Sequence, residues 1–317
     1  MNPEPSNHAE NTQSRFEHDL VSRIALEAIA EQRRSRRWGI FFKLLLALYV
    51  LVFLLIYLPP DWDGRAMIGE KHTALIDIEG IIAAGSDASA DNIVSGLRAA
   101  FEHKNTAGVI LRINSPGGSP VQAGYVSDEI KRLRGLHPDI PVFAVITDIA
   151  ASGGYYIAAA ADEIYANKAS IVGSIGVVMS SFGFVDAIDK LGIERRLMYA
   201  GENKGFLDPF SPLQADDVEH VNQLLDDVYR QFIDVVKTGR GPRLKEEEKV
   251  FSGLVWTGEQ SLELGLVDSL GSASFVAREI IGVEEIVDFT RRQTFLERFE
   301  KQLQAVFGAA MAKFELR

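Results

Sequence analysis

A serine among small residues is the first candidate for chemistry. Ser152 lies in the stretch DIAASGGYYIAAAA, after the apolar run PVFAVI, which is typical of a buried strand, and before an alanine-rich helix. No bulky neighbour shields its hydroxyl from a substrate, and the N–H of Gly153 can donate to developing negative charge. The stretch suits a nucleophilic serine with an adjacent oxyanion donor. A glycine-rich turn with an incidental serine has the same composition.

A second oxyanion donor is expected from the SPGG turn. This turn follows the predicted strand GVILRIN, at 108–114, and supplies backbone N–H groups that no side chain covers. Gly118 is the first candidate and Gly117 the next. A purely structural tight turn remains the alternative.

The serine also needs a base, and the histidines are poorly placed to supply one. Of the six histidines, none lies between Ser152 and His220, and His220 falls on a long predicted helix where a solvated position is expected. A Ser-His-Asp triad is therefore not indicated. Lys204, in GENKGFL, has apolar neighbours, and a lysine becomes a general base when burial lowers its pKa from about 10.4. An exposed loop lysine is the alternative.

Strands and helices alternate in the part of the chain that carries these residues. This order indicates βαβ units and a mainly parallel sheet. The predicted strands are 73–80, 108–114, 141–146, 163–166 and 195–199. The predicted helices are 91–103, 121–133, 184–191, 216–237 and 257–264. The apolar stripe of the 216–237 helix predicts core packing or a subunit contact, and Thr257 with Gln260 predicts a capping box.

One segment predicts a membrane anchor. The run from Trp38 to Leu58 is apolar except for Lys43, and it is long enough to span a hydrocarbon core of about 30 Å. Arginines crowd its N-terminal side, so the N-terminus is expected in the cytoplasm and the rest of the chain outside. A cleaved signal peptide is the competing interpretation, but the run is long for one and LPPDWDG lacks a typical cleavage pattern.

Composition narrows the function classes. The net charge of −11 argues against a nucleic-acid partner, because phosphate binding needs a basic surface. The absence of cysteine excludes disulfides, thiolate chemistry and cysteine-bound zinc. Nothing in the sequence calls for a metal or a cofactor.

The motifs in order resemble a known family. NSPGGS, then D-x-A-A-S-G-G-Y-Y-I-A, then GSIGV, a lysine loop and VWTGEQSLELGLVDSLG are similar to the short form of signal peptide peptidase A. This is a family of membrane-anchored Ser-Lys peptidases on the ClpP/crotonase fold. The resemblance covers roughly residues 74–272.

The resemblance implies roles for particular residues. Ser152 is the nucleophile, Lys204 the general base, and the amides of Gly118 and Gly153 form the oxyanion hole. Ser174 is the candidate for orienting Lys204. An apolar groove for substrate side chains is expected along IVGSIGVV, at Ile175, Gly176 and Val177. The family also implies a homo-oligomer with its active sites facing an inner cavity.

The prediction is an α/β protein with a ClpP/crotonase-like βαβ superhelix behind a single transmembrane helix. The predicted segments are a cytoplasmic tail (1–37), the transmembrane helix (38–58), a linker (59–72), the peptidase domain (73–288) and an amphipathic helical tail (289–317). The predicted function is degradation of remnant signal peptides and other small hydrophobic peptides at the bacterial inner membrane, with a periplasmic catalytic domain.

Three alternatives are kept. A stomatin-associated Ser-Lys protease shares the fold, but that family usually carries further C-terminal spans, of which this sequence gives no sign. A crotonase would use the paired glycine amides on an acyl-CoA thioester without Ser152, but an external domain is not expected to meet CoA. The third is a catalytically silent scaffold that assembles on membranes.

Overall fold

The computed structural model describes residues 33–34, 36–54, 70–245 and 247–292. The chain divides into two compact units, residues 1–63 and 64–317, which are described separately. Most of the predicted cytoplasmic tail, most of the linker and the predicted C-terminal tail beyond residue 292 lie outside the described residues.

The first unit contains one long apolar helix. Helix α1 (Arg36–Leu54) is 19 residues long, and its length and composition would allow it to cross a membrane. Its apolar side chains are exposed. The predicted end of this span, residues 55–58, lies outside the described residues.

The second unit is built on an eight-stranded sheet. Its strands are β1 (His72–Glu79), β2 (Thr106–Ser115), β3 (Val142–Ala151), β4 (Glu163–Ala166), β5 (Ile171–Gly173), β6 (Val255–Thr257), β7 (Ser269–Leu270) and β8 (Ile286–Asp288). The main order is β6-β5-β3-β2-β1-β8, with β4 and β7 branching from β3. All pairs are parallel except β5–β6. The predicted parallel βαβ architecture is confirmed.

Helices cover the sheet and connect its strands. They are α2 (Ala90–Glu102), α3 (Pro120–Leu136), α4 (Gly153–Ala158), α5 (Val185–Lys190), α6 (Ala215–Arg240), α7 (Glu247–Val250), α8 (Gly258–Leu264) and α9 (Ala273–Phe275), the last followed by a π-helical turn (Val276–Ile281). Alternate residues of β1 face opposite sides, with Ile76 in the larger apolar cluster and Leu75 in the smaller one. The sheet is therefore buried on both faces, as parallel sheets generally are.

The long strand β3 carries the chain from the core to the edge where the candidate residues meet. Its first part pairs with β4, and its last three residues, Ile149–Ala151, pair with β5. The register against β2 shifts between Ile113 and Ser115. Because of this change of partner, β3 ends beside both the SPGG turn and the end of β5.

Residues 176–231, all of which the structure describes, include none that is buried. This segment contains α5 and the first part of α6, and we refer to it as the excursion. The prediction of a strand at 195–199 is wrong, because these residues have no neighbouring strand and are exposed. Helix α6 joins the core only near its end, where Phe232, Val236 and Arg240 are buried.

A buried ion-pair cluster fixes the end of α6. The guanidinium of Arg240 is 1% exposed and contacts both carboxylate oxygens of Asp268 at 2.7 and 2.8 Å. Arg243 contacts the same carboxylate at 3.2 Å. Burial alone would raise the pKa of Asp268, but its hydrogen bond to Arg240 and the arginine charges outweigh burial and lower that pKa.

His72, at the start of β1, is fully buried beside His103, with ring centroids 4.6 Å apart. The Thr106 hydroxyl donates to the carbonyl of Ala100, so its oxygen accepts from Nε2 of His72 at 3.3 Å. Nδ1 of His72 has no hydrogen-bond partner among the described residues. Burial, and to a lesser extent the charge of His103, lowers the pKa of His72.

This environment predicts a loss of stability in mild acid. In the folded state His72 stays neutral, whereas in the unfolded state it becomes protonated near pH 6.5. The contribution of neutral His72 to the free energy of unfolding is therefore complete above pH 6.5, and it is lost as the pH falls from there through the folded-state pKa. We expect the free energy of unfolding to fall by up to about 1.4 kcal/mol per pH unit below 6.5. Urea unfolding between pH 7.5 and 5.5 measures this, and His72→Gln should flatten the slope. An unchanged slope in that variant would contradict the role of His72.

Candidate active site

Ser152 occupies a strained turn at the end of β3. Its backbone has φ 51° and ψ −121°, a region that residues with a side chain rarely adopt. The turn is held because the N–H of Ser152 donates to the carbonyl of Gly173 at 2.9 Å. Local strain of this kind is concentrated at functional sites. Ser174, which follows that glycine at the end of β5, has a similar φ of 52°.

The SPGG turn lies directly against the Ser152 turn. Gly117 has φ 98°, and a Cβ on it would lie 2.7 Å from both the N of Gly153 and the Cβ of Ser152. Only a residue without a side chain permits this approach. The turn is anchored on its other side, since Ile82 donates to the carbonyl of Gly117 at 2.9 Å.

Two backbone N–H groups are presented together beside Ser152. Gly118 N is 3.3 Å from the position that a Cβ on Gly153 would take. Among the described residues, neither the N–H of Gly118 nor that of Gly153 has a hydrogen-bond acceptor. Buried or partly buried amides are normally paired, so this arrangement is suited to receiving an oxygen that carries negative charge.

A cavity of about 790 Å³ opens in front of the serine. Its surface is largely apolar, and one wall is a face of α3 while another is the part of α6 around Phe232. Tyr156 of α4, one turn after Ser152, also lines the cavity, and its ring centroid is 5.1 Å from that of Phe232. A cavity of this size accommodates several side chains of an extended peptide.

The cavity brings together most of the residues predicted from the sequence. The predicted residues that line it are Ser152, Gly118, Gly153, Ser174, Gly176 and Val177. Gly117 supports the two turns without lining the cavity. Ile175, predicted as part of the groove, is instead fully buried in the core, because the backbone alternates after β5 and turns this side chain inward.

Lys204 does not line this cavity in the single chain. It lies in a turn of the excursion, where its N–H donates to the carbonyl of Gly201 at 3.1 Å, and its side chain is exposed. An ion pair between Arg195 and Asp208, at 3.2 Å, joins the two coil segments on either side of it. The pairing of Ser152 with Lys204 therefore stays a prediction. His220 is exposed and packs against Phe206, and it does not line the cavity either.

Sequence reasoning missed the walls of the cavity. Tyr125 and Asp128 of α3, Tyr156 of α4 and Phe232 of α6 all line it. These residues come from three helices that meet only in the folded chain. A local signal existed in α3, where Pro120, Gly124 and Asp128 recur at the four-residue spacing of one helical face.

Comparison with known proteins agrees with this geometry. The model of peptidase family S49 matches residues 135–281. A protein named as a protease in Synechocystis is 34% identical over 202 residues, which are 64% of this chain and 70% of that protein. The chain belongs to peptidase family S49. Its sheet is thus the ClpP-like fold of that family, and the matched residues 135–281, which include Ser152, belong to a family of serine peptidases.

Of the other relatives, this chain covers smaller fractions. A protein named as signal peptide peptidase SppA in Enterococcus faecium is 29% identical over 199 residues, 63% of this chain and 57% of that protein. A protein of Brucella melitensis named as the Na⁺/H⁺ antiporter NhaA is 46% identical over 186 residues, 59% of this chain. The chain spans only 25% of that Brucella protein, so the antiporter name describes that protein alone.

The close contact between the SPGG turn and the Ser152 turn predicts that one added methyl group has a large effect on activity. In Gly117→Ala the new Cβ would displace the Ser152 turn or the Gly153 amide, and its φ of 98° adds backbone strain. We expect kcat for peptide hydrolysis to fall by about 10²-fold or more, as when one oxyanion donor is lost. Gly135→Ala in α3, whose Cβ would meet nothing within 4 Å, is the control. Equal activity of both variants would contradict the close contact.

Proposed function

We propose that this protein is a membrane-anchored serine endopeptidase in which Ser152 is the nucleophile and Lys204 the general base. The observation that carries the proposal is the strained Ser152 turn, with the unpaired amides of Gly118 and Gly153 beside it and an apolar cavity in front. A serine, two backbone donors and a cavity at one place in the fold are what acyl transfer requires, and this combination supports the proposal.

Acylation begins with attack of Ser152 Oγ on the scissile carbonyl carbon. The neutral amine of Lys204 takes the hydroxyl proton, and the N–H groups of Gly118 and Gly153 donate to the resulting oxyanion. Collapse of the tetrahedral intermediate breaks the C–N bond, and Lys204 returns the proton to the leaving amine. Water, activated in the same way, then releases the acyl group from Ser152.

For this mechanism Lys204 must come to the cavity, and self-assembly is the proposed cause. The excursion exposes large apolar side chains, among them Val178 at 87%, Phe182 at 79% and Met198 at 88%. Large apolar side chains left exposed within one segment of the chain are typical of an interaction site. A homo-oligomer that covers the excursion would desolvate the Lys204 loop and fix it near Ser174, its proposed orienting partner.

The proposed substrates are remnant signal peptides and other small hydrophobic peptides. The apolar lining of the cavity supports this class, as does helix α1, which would hold the active site near the membrane in which such peptides remain. The proposed orientation, with the N-terminus cytoplasmic and the peptidase domain in the periplasm, rests on the arginines that precede α1.

A catalytically silent scaffold is the second candidate. The position of Lys204 outside the cavity of the single chain favours it, because without a base the serine is a weak nucleophile. Assembly through the excursion would then be the whole function. The two candidates differ in whether any hydrolysis depends on Ser152.

The test is hydrolysis of synthetic signal peptides by the full chain reconstituted in phospholipid vesicles. We expect cleavage within the apolar segment of the peptides, no cleavage of a stably folded soluble protein, and no cleavage of either by Ser152→Ala. Intact peptides after incubation with an assembled wild-type protein would favour the scaffold.

A further inference from the structure

The cavity in front of Ser152 contains one charged side chain among the described residues that line it, Asp128. This residue lies two helical turns after Pro120 on the face of α3 that forms the cavity wall. Its side chain is 79% exposed, and its nearest cation is Lys131 at 4.0 Å, the outer limit for an ion pair. The carboxylate is therefore largely available to a ligand.

Glu129, the next residue on α3, is by contrast a structural carboxylate. Glu129 is 9% exposed and contacts Arg98 at 2.6 Å and Arg132 at 2.7 Å. Hydrogen bonds from Arg132 and Arg98 lower the pKa of Glu129 to about 2. Glu129 thus binds α3 to α2, whereas Asp128 has no arginine partner among the described residues and lines the cavity.

Two tyrosine rings line the same cavity as Asp128. Tyr125, one turn earlier on α3, and Tyr156 on α4 both line the cavity. Burial, and to a lesser extent the charge of Asp128, raises the pKa of Tyr156. A carboxylate combined with aromatic faces is the environment in which lysine and arginine side chains bind, through ion pairing and cation–π contact.

Space for such a side chain exists one turn before the carboxylate. Gly124 lies in the interior of α3, where glycine is unfavourable, yet a Cβ on it would meet nothing within 4 Å. No packing contact with the described part of the chain therefore requires glycine at this position. Gly124 itself lines the cavity, so its missing side chain leaves this part of the cavity open.

On the basis of the proposed peptidase function, we infer that Gly124, Tyr125, Asp128 and Tyr156 form a subsite that selects a lysine or arginine side chain of the peptide substrate. The rest of the cavity takes apolar side chains. The preferred substrate is then an apolar peptide with a basic residue at a fixed distance from the scissile bond. Signal peptides combine these features, because a positively charged segment precedes their apolar run.

The test uses one apolar peptide in which each position in turn carries lysine or its neutral analogue norleucine. With the full chain we expect kcat/KM to favour lysine at one position by about three- to tenfold, since the carboxylate is solvent-exposed and the rings add to its attraction. Asp128→Asn should remove this preference, and Asp128→Lys should replace it with a preference for glutamate. Asp139→Asn, an exposed acid outside the cavity, changes the net charge equally and should keep the preference.

Binding separates this inference from the proposed function. Affinities of the same peptides for Ser152→Ala, measured by fluorescence anisotropy, should show the lysine preference and lose it when Asp128→Asn is added. Charge-selective binding without hydrolysis by wild type would overturn the peptidase function but keep the subsite. The subsite would be overturned if hydrolysis depends on Ser152 but neither hydrolysis nor binding favours the lysine peptides. A lysine preference that persists in Asp128→Asn would also overturn it.

Gly124→Leu is a steric test that leaves the charge unchanged. Because the added side chain would extend into open cavity, the variant should fold as stably as wild type or more so. We expect it to lower the affinity for the lysine peptide by about tenfold, because the leucine would keep the lysine side chain away from the carboxylate and the rings. Unchanged affinity in a folded Gly124→Leu variant would show that the peptide does not occupy this space.

Discussion

Replacing Ser152 by alanine should lower kcat for peptide hydrolysis by about 10³-fold or more, while the fold and the affinity for peptides are kept. The expected size follows from other serine peptidases, in which loss of the nucleophile leaves only the rate provided by the oxyanion donors and binding. Stability should not fall, since alanine fits the same turn and removes only a hydroxyl. Turnover of a fluorogenic apolar peptide by the full chain measures the effect.

Lys204→Met should lower kcat for peptide hydrolysis nearly as much as Ser152→Ala does. Methionine keeps the length and apolar stem of lysine but cannot accept a proton, and residues that act as a unit give non-additive losses. The double variant should therefore be no worse than Ser152→Ala alone. His220→Gln, on the exposed face of α6, is the control and should retain activity. Loss of activity in His220→Gln with retention in Lys204→Met would assign the base to the histidine.

The second large effect concerns stability and lies away from the active site. In Asp268→Asn the buried guanidinium of Arg240, 1% exposed, would keep its charge without a counter-charge of its own. Breaking a buried ion pair by removing one partner costs about 3–5 kcal/mol. We expect the free energy of unfolding in urea to fall by about that amount. The end of α6, which supplies Phe232 to the cavity wall, should loosen first.

An exposed ion pair provides the matched control for this measurement. Arg278 and Glu279 contact each other at 2.7 Å, but both side chains are about half exposed, at 49% and 52%. Glu279→Gln should change the free energy of unfolding by less than about 0.5 kcal/mol. Similar losses in both variants would mean that burial does not determine the strength of the Arg240–Asp268 pair.

The sequence predicted those parts of the fold whose signals are local. Strand β4 has the predicted bounds, 163–166, and the capping box of α8 forms, with Gln260 N donating to Thr257 Oγ1 at 3.2 Å and Thr257 N to Gln260 Oε1 at 3.0 Å. The meeting of the Ser152 and SPGG turns was also predictable, because parallel strands β2 and β3 bring their carboxyl ends to the same edge of the sheet.

Features that depend on distant partners were not predictable in this way. The segment 195–199 has the composition of a strand, but a strand needs a neighbour for its backbone hydrogen bonds, and the excursion offers none within the chain. Asp128 and Phe232 face one cavity because α3 and α6 pack around α4, which no local periodicity encodes. The proposed approach of Lys204 to the cavity would depend on the same kind of distant contact.

The most direct measurement is covalent labelling of the full chain with a fluorophosphonate that carries an apolar peptide. Such a reagent phosphonylates an activated serine, and digestion followed by mass spectrometry locates the adduct. A Ser-Lys dyad predicts a single adduct on Ser152, formed about 10²-fold or more slowly in Lys204→Met, the contribution expected of a general base. An adduct on Ser174 or another serine, or equally fast labelling of Ser152 without Lys204, would contradict the dyad.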